Sequence, residues 1–293
     1  MNNQILVTGA NGQLGSELKM ILGKTLGKVF YTDVYDLDIT DINALYAFTS
    51  QNNITIIINC AAYTNVDKAE EEPEMADRVN HLAVNNLAEI SAEQNIRLIH
   101  ISTDYVFSGN SFLPYSETDN TNPTGIYGKT KLEGEKAIIS KNIQYTIIRT
   151  SWLYSSFGNN FVKTILRLAN ERNSLKVIYD QIGSPTYAAD LARVIATIIN
   201  TNQWRKGIYH FSNEGAVSWY DFSQAIIELS NINTKIVPCR TEEYPTKAKR
   251  PIYSVMDKAK IKQKLGIEIP YWKKSLSECI SVIQKNKHNC FLI

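Results

Sequence analysis

The sequence predicts an α/β fold, a doubly wound parallel sheet with a smaller C-terminal lobe. Three observations carry that expectation. A short β-branched run stops at Gly9 and a helical apolar period follows it. The same strand-and-helix alternation returns up to residue 150. The segments Ile56-Ile57-Ile58 and Leu98-Ile99-His100-Ile101 lack polar alternation, as strands buried on both faces do.

Gln4-Ile5-Leu6-Val7-Thr8 forms the first strand, and Leu14, Leu18, Ile21 and Leu22 mark one face of the first helix. The alternation continues with strand 28–32, helix 42–50, strand 55–59, helix 75–94 and strand 97–102. Connections this short between like-directed strands make right-handed βαβ units, with helices on both faces of the sheet. Residues 108–125 are polar and rich in turn formers (Pro114, Asp119, Asn120, Asn122, Pro123). A long loop near a sheet's carboxyl edge is usually functional. A helix resumes at Tyr127, and strand 144–150 leads to Trp152. Beyond residue 153 the pattern is less regular, with helices expected at 160–170, 190–200 and 218–229. Residues 237–253, rich in proline and basic side chains, read as a loop crossing an open cleft.

The chain has 293 residues, with 31 Lys or Arg against 29 Asp or Glu, and 44% of it is apolar. A net charge of +2 argues against nucleic acid as the main partner. The length is near the limit of a single core, so one large α/β unit and two lobes sharing a cleft are both open. Cys60, Cys239, Cys279 and Cys290 show no CxxC spacing and read as free thiols of a cytoplasmic protein, without a disulfide framework or zinc site. The first residues carry no basic region, and no stretch approaches the roughly 20 apolar residues of a bilayer span. Neither a signal peptide nor a membrane partner is expected.

The turn Gly9-Ala10-Asn11-Gly12-Gln13-Leu14-Gly15 is a GxxGxxG pattern between a strand and a helix. Gly9 permits the tight turn, Gly12 lets backbone N–H groups approach a pyrophosphate at the helix N-terminus, and Gly15 allows close helix-to-strand packing. That context favours dinucleotide binding and makes the fold Rossmann-type. Asp33 ends the second strand about 20 residues beyond the glycines, where a carboxylate meets adenosine ribose hydroxyls; the plainer reading is that it simply ends a strand. No Arg follows in Val34-Tyr35-Asp36-Leu37, so these residues lean toward NADH, and Asp38 is placed to flank the adenine.

Tyr127-Gly128-Lys129-Thr130-Lys131 is a YxxxK pair at the start of a helix, and its spacing puts both side chains on one face. An ammonium there lowers the phenol pKa, so that Tyr127 can give a proton to a carbonyl oxygen as hydride arrives. The bland alternative is a solvated face. Context comes from Ser102-Thr103-Asp104, where a buried strand runs out into hydroxyl residues at the sheet's carboxyl edge. A hydroxyl there either binds the substrate carbonyl together with Tyr127 or caps a turn.

With these motifs the sequence resembles the extended short-chain dehydrogenase/reductases. It is most similar to the dTDP-4-dehydrorhamnose reductase family, through Ala61-Ala62-Tyr63-Thr64-Asn65-Val66-Asp67-Lys68-Ala69-Glu70, Ser102-Thr103-Asp104-Tyr105-Val106-Phe107, Arg149-Thr150-Ser151-Trp152-Leu153-Tyr154, Gly158-Asn159-Asn160-Phe161, Asp180-Gln181-Ile182-Gly183-Ser184-Pro185-Thr186 and Arg250-Pro251-Ile252-Tyr253-Ser254. The resemblance implies reduction of the C4 keto group of dTDP-6-deoxy-L-lyxo-4-hexulose to dTDP-L-rhamnose, with NADPH or NADH as reductant. It implies a dinucleotide-binding domain at 1–150 with a returning segment at about 187–212, and a substrate-binding lobe from 151–186 and 213–293.

Carried over by motif, Tyr127 is the acid, Lys131 holds the nicotinamide ribose and tunes Tyr127, and Thr103 binds the reacting sugar. The resemblance further implies Gly9, Asn11, Gly12, Gln13, Leu14 and Gly15 at the pyrophosphate and Asp33 at the ribose. It puts Asp38 and Ile39 by the adenine, and Ala61, Ala62, Tyr63, Thr64 and Ser102 beneath the nicotinamide half. Asp104 and Trp152 match substrate contacts. An indole after a strand's end makes an apolar wall for a deoxysugar or is simply core, and Arg250 pairs with the nucleotide diphosphate or is a surface loop residue. The family often has His at the position of Tyr63, a modest change. Some members are magnesium-linked dimers held by glutamates; Glu17 fits one such position, but Ala189 stands at the other and the tail is Cys290-Phe291-Leu292-Ile293. No metal is expected, and the protein reads as a monomer or homodimer. Another nucleotide-sugar reductase or epimerase, or a non-enzymatic dinucleotide-binding regulatory subunit, are the alternatives; the intact Thr103, Tyr127 and Lys131 weigh against the last.

Overall fold

The computed structural model describes residues 3–22, 27–201 and 204–290, of which 287–290 by backbone alone. Along the chain, β1 (Gln4–Thr8), α1 (Gln13–Leu22), β2 (Lys28–Thr32), α2 (Ile42–Gln51), β3 (Ile56–Asn59), α3 (Val66–Glu71), α4 (Pro73–Asp77), α5 (Ala83–Glu93), β4 (Arg97–Thr103), α6 (Ile126–Ile139) and β5 (Tyr145–Thr150) come first. They are followed by β6 (Leu153–Tyr154), α7 (Phe161–Glu171), β7 (Ser174–Ile178), β8 (Ile182–Gly183), β9 (Thr186–Tyr187), α8 (Ala188–Asn200), β10 (Gly207–His210), β11 (Val217–Ser218), α9 (Trp219–Ser230), β12 (Lys235–Cys239), α10 (Ala259–Leu265) and α11 (Trp272–Cys290).

Six strands make the parallel sheet expected from the alternation, in the order β2-β1-β3-β4-β5-β10. Its apolar strands obey the two-residue period of a pleat. Ile5, Val7, Ile56, Ile58, Ile99 and Ile148 pack with the apolar faces of α1, α8 and α10. Leu6, Ile57, Leu98 and Ile147 pack on the other side with α2, α5 and α6. Burial on both faces explains why β3 and β5 are buried at every residue. A separate core gathers Val162 and Ile165 of α7, Val177 of β7, Phe222 and Ile226 of α9, Ile236 of β12 and Leu276 of α11.

From β1 the sheet grows toward β2 on one side and toward β3, β4, β5 and β10 on the other. Crossovers leave β1 and β3 in opposite directions, which opens a crevice at their carboxyl ends. Gly9 turns the chain there at φ +63°, and a Cβ on it would lie 2.6 Å from Ala61 N. Both the left-handed backbone and the approach of the β3 exit demand glycine. At Gly15 a Cβ would fall 2.5 Å from Ala10 Cα, so the third glycine of the motif also serves close packing.

Some elements differ from the sequence expectation. The single helix expected at 75–94 begins at Pro73 and is interrupted by a π-type turn, Arg78–Leu82. The wider turn brings Asn80 inward, where its Oδ1 accepts from Tyr63 N (2.9 Å) and its Nδ2 donates to Tyr63 O and Thr130 Oγ1. The loop expected at 237–253 begins later, because Val237, Pro238 and Cys239 pair in parallel with β7. The rest of that loop does reach across: Ala248 N and Arg250 Nη2 bond to Asp67 of α3. Helices α10 and α11 had no counterpart in the sequence reading. Cys60, Cys239 and Cys279 are free thiols, whereas the side chain of Cys290 and residues 291–293 lie outside the described residues.

Gly9→Ala should destabilise the protein by at least about 2 kcal/mol, the sum of a strained positive φ and an overlap with backbone. Urea unfolding monitored by circular dichroism measures it. An unchanged midpoint would contradict the close β1–β3 approach.

Candidate active site

The crevice continues into a cleft of about 890 Å³ that runs from the glycine turn past the end of β4 to the β6–α7 segment. Gly9, Asn11, Gly12, Gln13, Leu14, Gly15, Asp33, Asp38, Ile39, Ala61, Ala62, Thr64, Ser102, Thr103, Asp104, Tyr127, Lys131 and Trp152 all line it. Two expected site residues do not. The Tyr63 phenol turns away to donate to Glu72 Oε2 at 2.7 Å. The Arg250 guanidinium is taken by Asp67 at 2.5 Å and by the Tyr105 hydroxyl at 3.4 Å. A carboxylate within reach in each case claims the polar end of the side chain, so neither is turned to the cleft.

At the glycine turn, Asn11 N donates to Asp33 Oδ2 at 3.0 Å, so the strand-ending carboxylate also braces the loop. An added Cβ on Gly12 would touch only Gly9 O, at 3.2 Å, which leaves its outer face open. Gln13 spans the cleft: its Oε1 accepts from Asn160 Nδ2 at 3.0 Å. Asn160 also caps α7 by accepting from Lys163 N, which fixes where that helix begins.

Helix α6 brings Tyr127 and Lys131 to the end of β4. It can lie this close because a Cβ on Gly128 would be 2.2 Å from Tyr105 O, and one on Gly134 would be 2.2 Å from Asn80 O. The Tyr127 ring packs edge-on to Tyr105, and beside its hydroxyl lies that of Thr103, which donates to Asp104 Oδ1 at 3.0 Å. Burial holds the Tyr127 phenol well above the usual tyrosine range. Burial likewise lifts the Asp104 carboxyl to about 6, although the hydroxyls of Ser254 and Thr103 favour its charged form.

Burial pushes the Lys131 amine down to about 8, opposed by Glu135 and Cys60. Its Nζ donates to Ile101 O at 2.6 Å and lies 3.3 Å from His100 Nε2. The sequence expectation that Lys131 depresses the Tyr127 pKa therefore meets a different resting arrangement, in which burial dominates the phenol and the amine is turned to β4. Ser102 differs from Thr103 in direction: its hydroxyl points into the protein and donates to Glu135 Oε1 at 2.5 Å. Glu135 in turn holds Arg149 through two bonds, at 2.9 and 2.7 Å, in a pair 1% and 3% exposed. This buried pair braces α6 against β5 beneath the Tyr127–Thr103 corner.

Trp152 follows β5 at φ +46°, a conformation that costs a bulky residue about 1–3 kcal/mol and persists only where packing imposes it. Its indole stacks on Trp219 with centroids 3.4 Å apart. The other support is Gly183, whose added Cβ would lie 2.5 Å from the ring. Both indoles line the cleft. Sequence reasoning missed Trp219, Asn160, Tyr105 and Asn80; for Trp219 the signal was a tryptophan just after the capping serine of α9, and for Asn80 there was none. Glu17, the matched glutamate, accepts from Ser155 Oγ at 2.6 Å, and burial raises its carboxyl pKa.

Fold and cleft together define a dinucleotide-dependent oxidoreductase of the extended short-chain dehydrogenase/reductase class. Residues 3–285 match the family described as RmlD substrate binding domain, and the chain belongs to that family. A dTDP-4-dehydrorhamnose reductase from Aggregatibacter actinomycetemcomitans is 42% identical over 93% of this chain and 97% of its own. The Escherichia coli K12 protein of that name is 40% identical over 92% and 94%. Among solved structures, a dTDP-4-dehydrorhamnose reductase from Clostridium acetobutylicum superposes with TM-score 0.93 at 44% identity, covering 96% of this chain and 99% of that one. One from Bacillus anthracis, in complex with NADP, gives TM-score 0.92 at 40% identity over 95% and 99%.

Glu135→Leu strands the Arg149 guanidinium in the interior, and should cost about 3–5 kcal/mol. The double variant Glu135→Leu/Arg149→Leu should recover most of that loss. Chemical denaturation of both variants checks this; a double variant no more stable than the single would contradict the pairing.

Proposed function

We propose that the protein reduces the C4 keto group of dTDP-6-deoxy-L-lyxo-4-hexulose to dTDP-L-rhamnose, using NADH or NADPH. The observation that carries the reading is the Thr103–Tyr127 pair at the carboxyl end of β4, with Lys131 one turn further along α6, all lining the cleft that begins at the glycine turn. Asn11, Gly12, Gln13 and Leu14 would hold the pyrophosphate, since the open face of Gly12 at the start of α1 is where an anion fits. Asp33 would take the adenosine ribose, and Ala61, Ala62 and Thr64 would line the nicotinamide half. Lys131 is the one basic side chain among the described residues lining the cleft, and with a carboxylate at Asp33 this favours NADH over NADPH. A dinucleotide held there would supply a hydride to the carbonyl carbon.

Tyr127 and Thr103 receive the carbonyl oxygen. Because burial keeps the phenol protonated at neutral pH, Tyr127 has a proton to give to the oxygen as negative charge develops there. Thr103 holds its hydroxyl beside that oxygen, and Lys131 sits one turn away to stabilise the resulting tyrosinate. The Trp152–Trp219 pair offers an apolar wall to a deoxysugar, and Asp104 an acceptor to a sugar hydroxyl. Residues 1–150 with 187–212 form the dinucleotide-binding part in this reading, and 151–186 with 213–293 the substrate lobe. No helix among the described residues is long and apolar enough to cross a membrane, and we place the reaction in the cytoplasm.

Loss of absorbance at the nicotinamide band, on mixing protein, keto sugar nucleotide and NADH or NADPH, tests the reading. No oxidation despite dinucleotide binding would move it to another keto sugar or to a binding subunit. Tyr127→Phe should lower kcat by about 10²–10⁴ while dinucleotide affinity stays within about twofold. Turnover near that of the wild type would remove Tyr127 as the acid.

A further inference from the structure

Behind the Tyr127–Lys131 corner lies a chain of buried hydrogen bonds whose direction can be read from one end. Asn59 of β3 and His100 of β4 are register partners, 1% and 0% exposed. Ala61 N–H can only donate, and its acceptor is Asn59 Oδ1 at 3.2 Å; Thr8 Oγ1 donates to the same oxygen at 2.7 Å. With the oxygen fixed there, Asn59 Nδ2 faces His100 Nδ1 at 3.0 Å. An amide nitrogen donates and does not accept, so His100 Nδ1 is the acceptor. Turning the Asn59 amide over would set its NH2 against the Ala61 N–H, donor to donor.

A neutral imidazole that accepts at Nδ1 carries its proton on Nε2. That nitrogen lies 3.3 Å from Lys131 Nζ. An ammonium has three N–H donors and no lone pair, so it opposes an Nε2–H; a neutral amine accepts it while still donating to Ile101 O. The other ionisable groups facing Nζ are Glu135 on its own helix and Cys60 at the end of β3. Glu135 favours the ammonium but is already engaged by Arg149 and Ser102. Burial holds the His100 pKa well below its ordinary value, in keeping with a neutral ring.

We propose that His100 is a positioning residue whose Nε2–H favours the neutral amine of Lys131 in the ligand-free protein, and that dinucleotide binding draws a proton from solvent onto Lys131 as Nζ leaves Nε2–H for a ligand hydroxyl. The ammonium that stabilises a tyrosinate is then favoured when the reductant is in place. The proposal rests on the reading of Lys131 as a dinucleotide contact, and its first test does not. In the ligand-free protein, ¹⁵N NMR of labelled histidine should show His100 as the Nε2–H tautomer, unchanged from about pH 6 to about pH 9. An Nδ1–H tautomer or an imidazolium would overturn the proposal. Calorimetric titration with NADH near pH 8, in two buffers of different ionisation enthalpy, should show proton uptake by the wild type that is at least halved in His100→Asn. Equal uptake in the two proteins would overturn it. If NADH fails to bind, the reductase reading falls, and the tautomer still decides the state of His100. The same wild-type measurement serves if His100→Asn does not fold.

Discussion

The contact of helix α6 with bare backbone is the constraint on which the rest depends. Gly128 and Gly134 meet the carbonyls of Tyr105 and Asn80 at distances that no side chain would allow. Two neighbours are thereby fixed at once, the exit of β4 and the π-type turn Arg78–Leu82. From the first follows the meeting of Tyr127 with Thr103; from the second follows the Asn80 bracket on the Tyr63 peptide, which shapes the β3 exit. A one-turn spacing on a helix puts a phenol and an amine on one face, but it is this approach that brings the face onto the strand end.

The corner is held by buried polar groups more than by apolar packing. Ser102, Glu135 and Arg149 lie under it, Asn59 and His100 beside it, and Asp104 at its rim. Such groups are costly unless nearly every donor and acceptor is used. Arg149 Nη1 and Asp104 Oδ2 remain without a partner. For Arg149 the face of Phe107, 5.0 Å away, offers a partial substitute. Asp104 Oδ2 belongs to a residue that lines the cleft. Stability is thus spent on polar order where chemistry needs fixed positions, while the two apolar clusters on the sheet faces carry the fold.

Much of this was legible because the informative residues obey local rules. The strand, glycine turn and helix at residues 4–22 follow from propensity and period, and so does the alternation to residue 150. Tyr127, Lys131 and Thr103 stood out by spacing and by position at a strand end, and all three line one cleft. Less legible were features made by long-range contacts. Parallel pairing of β7 with β12 joins segments some 60 residues apart, and Pro238 argued against a strand there. Helix α11 is largely polar along its length and takes its place by packing Leu276, Cys279 and Ile280. Tyr63 and Arg250 were expected at the cleft from their motifs, yet Glu72 and Asp67 take their polar ends, a competition visible only in three dimensions. The direction of the Asn59–His100 chain likewise needs the Ala61 N–H to read it.

The central claim is that hydride and proton meet at one carbonyl beside Tyr127. Reduction of the keto sugar nucleotide with NADH carrying deuterium at its transferable position tests it most directly, with mass spectrometry and NMR of the product. Deuterium at C4 of dTDP-rhamnose is the result the account predicts. Product without the label, or with it at another carbon, would contradict direct transfer in this cleft.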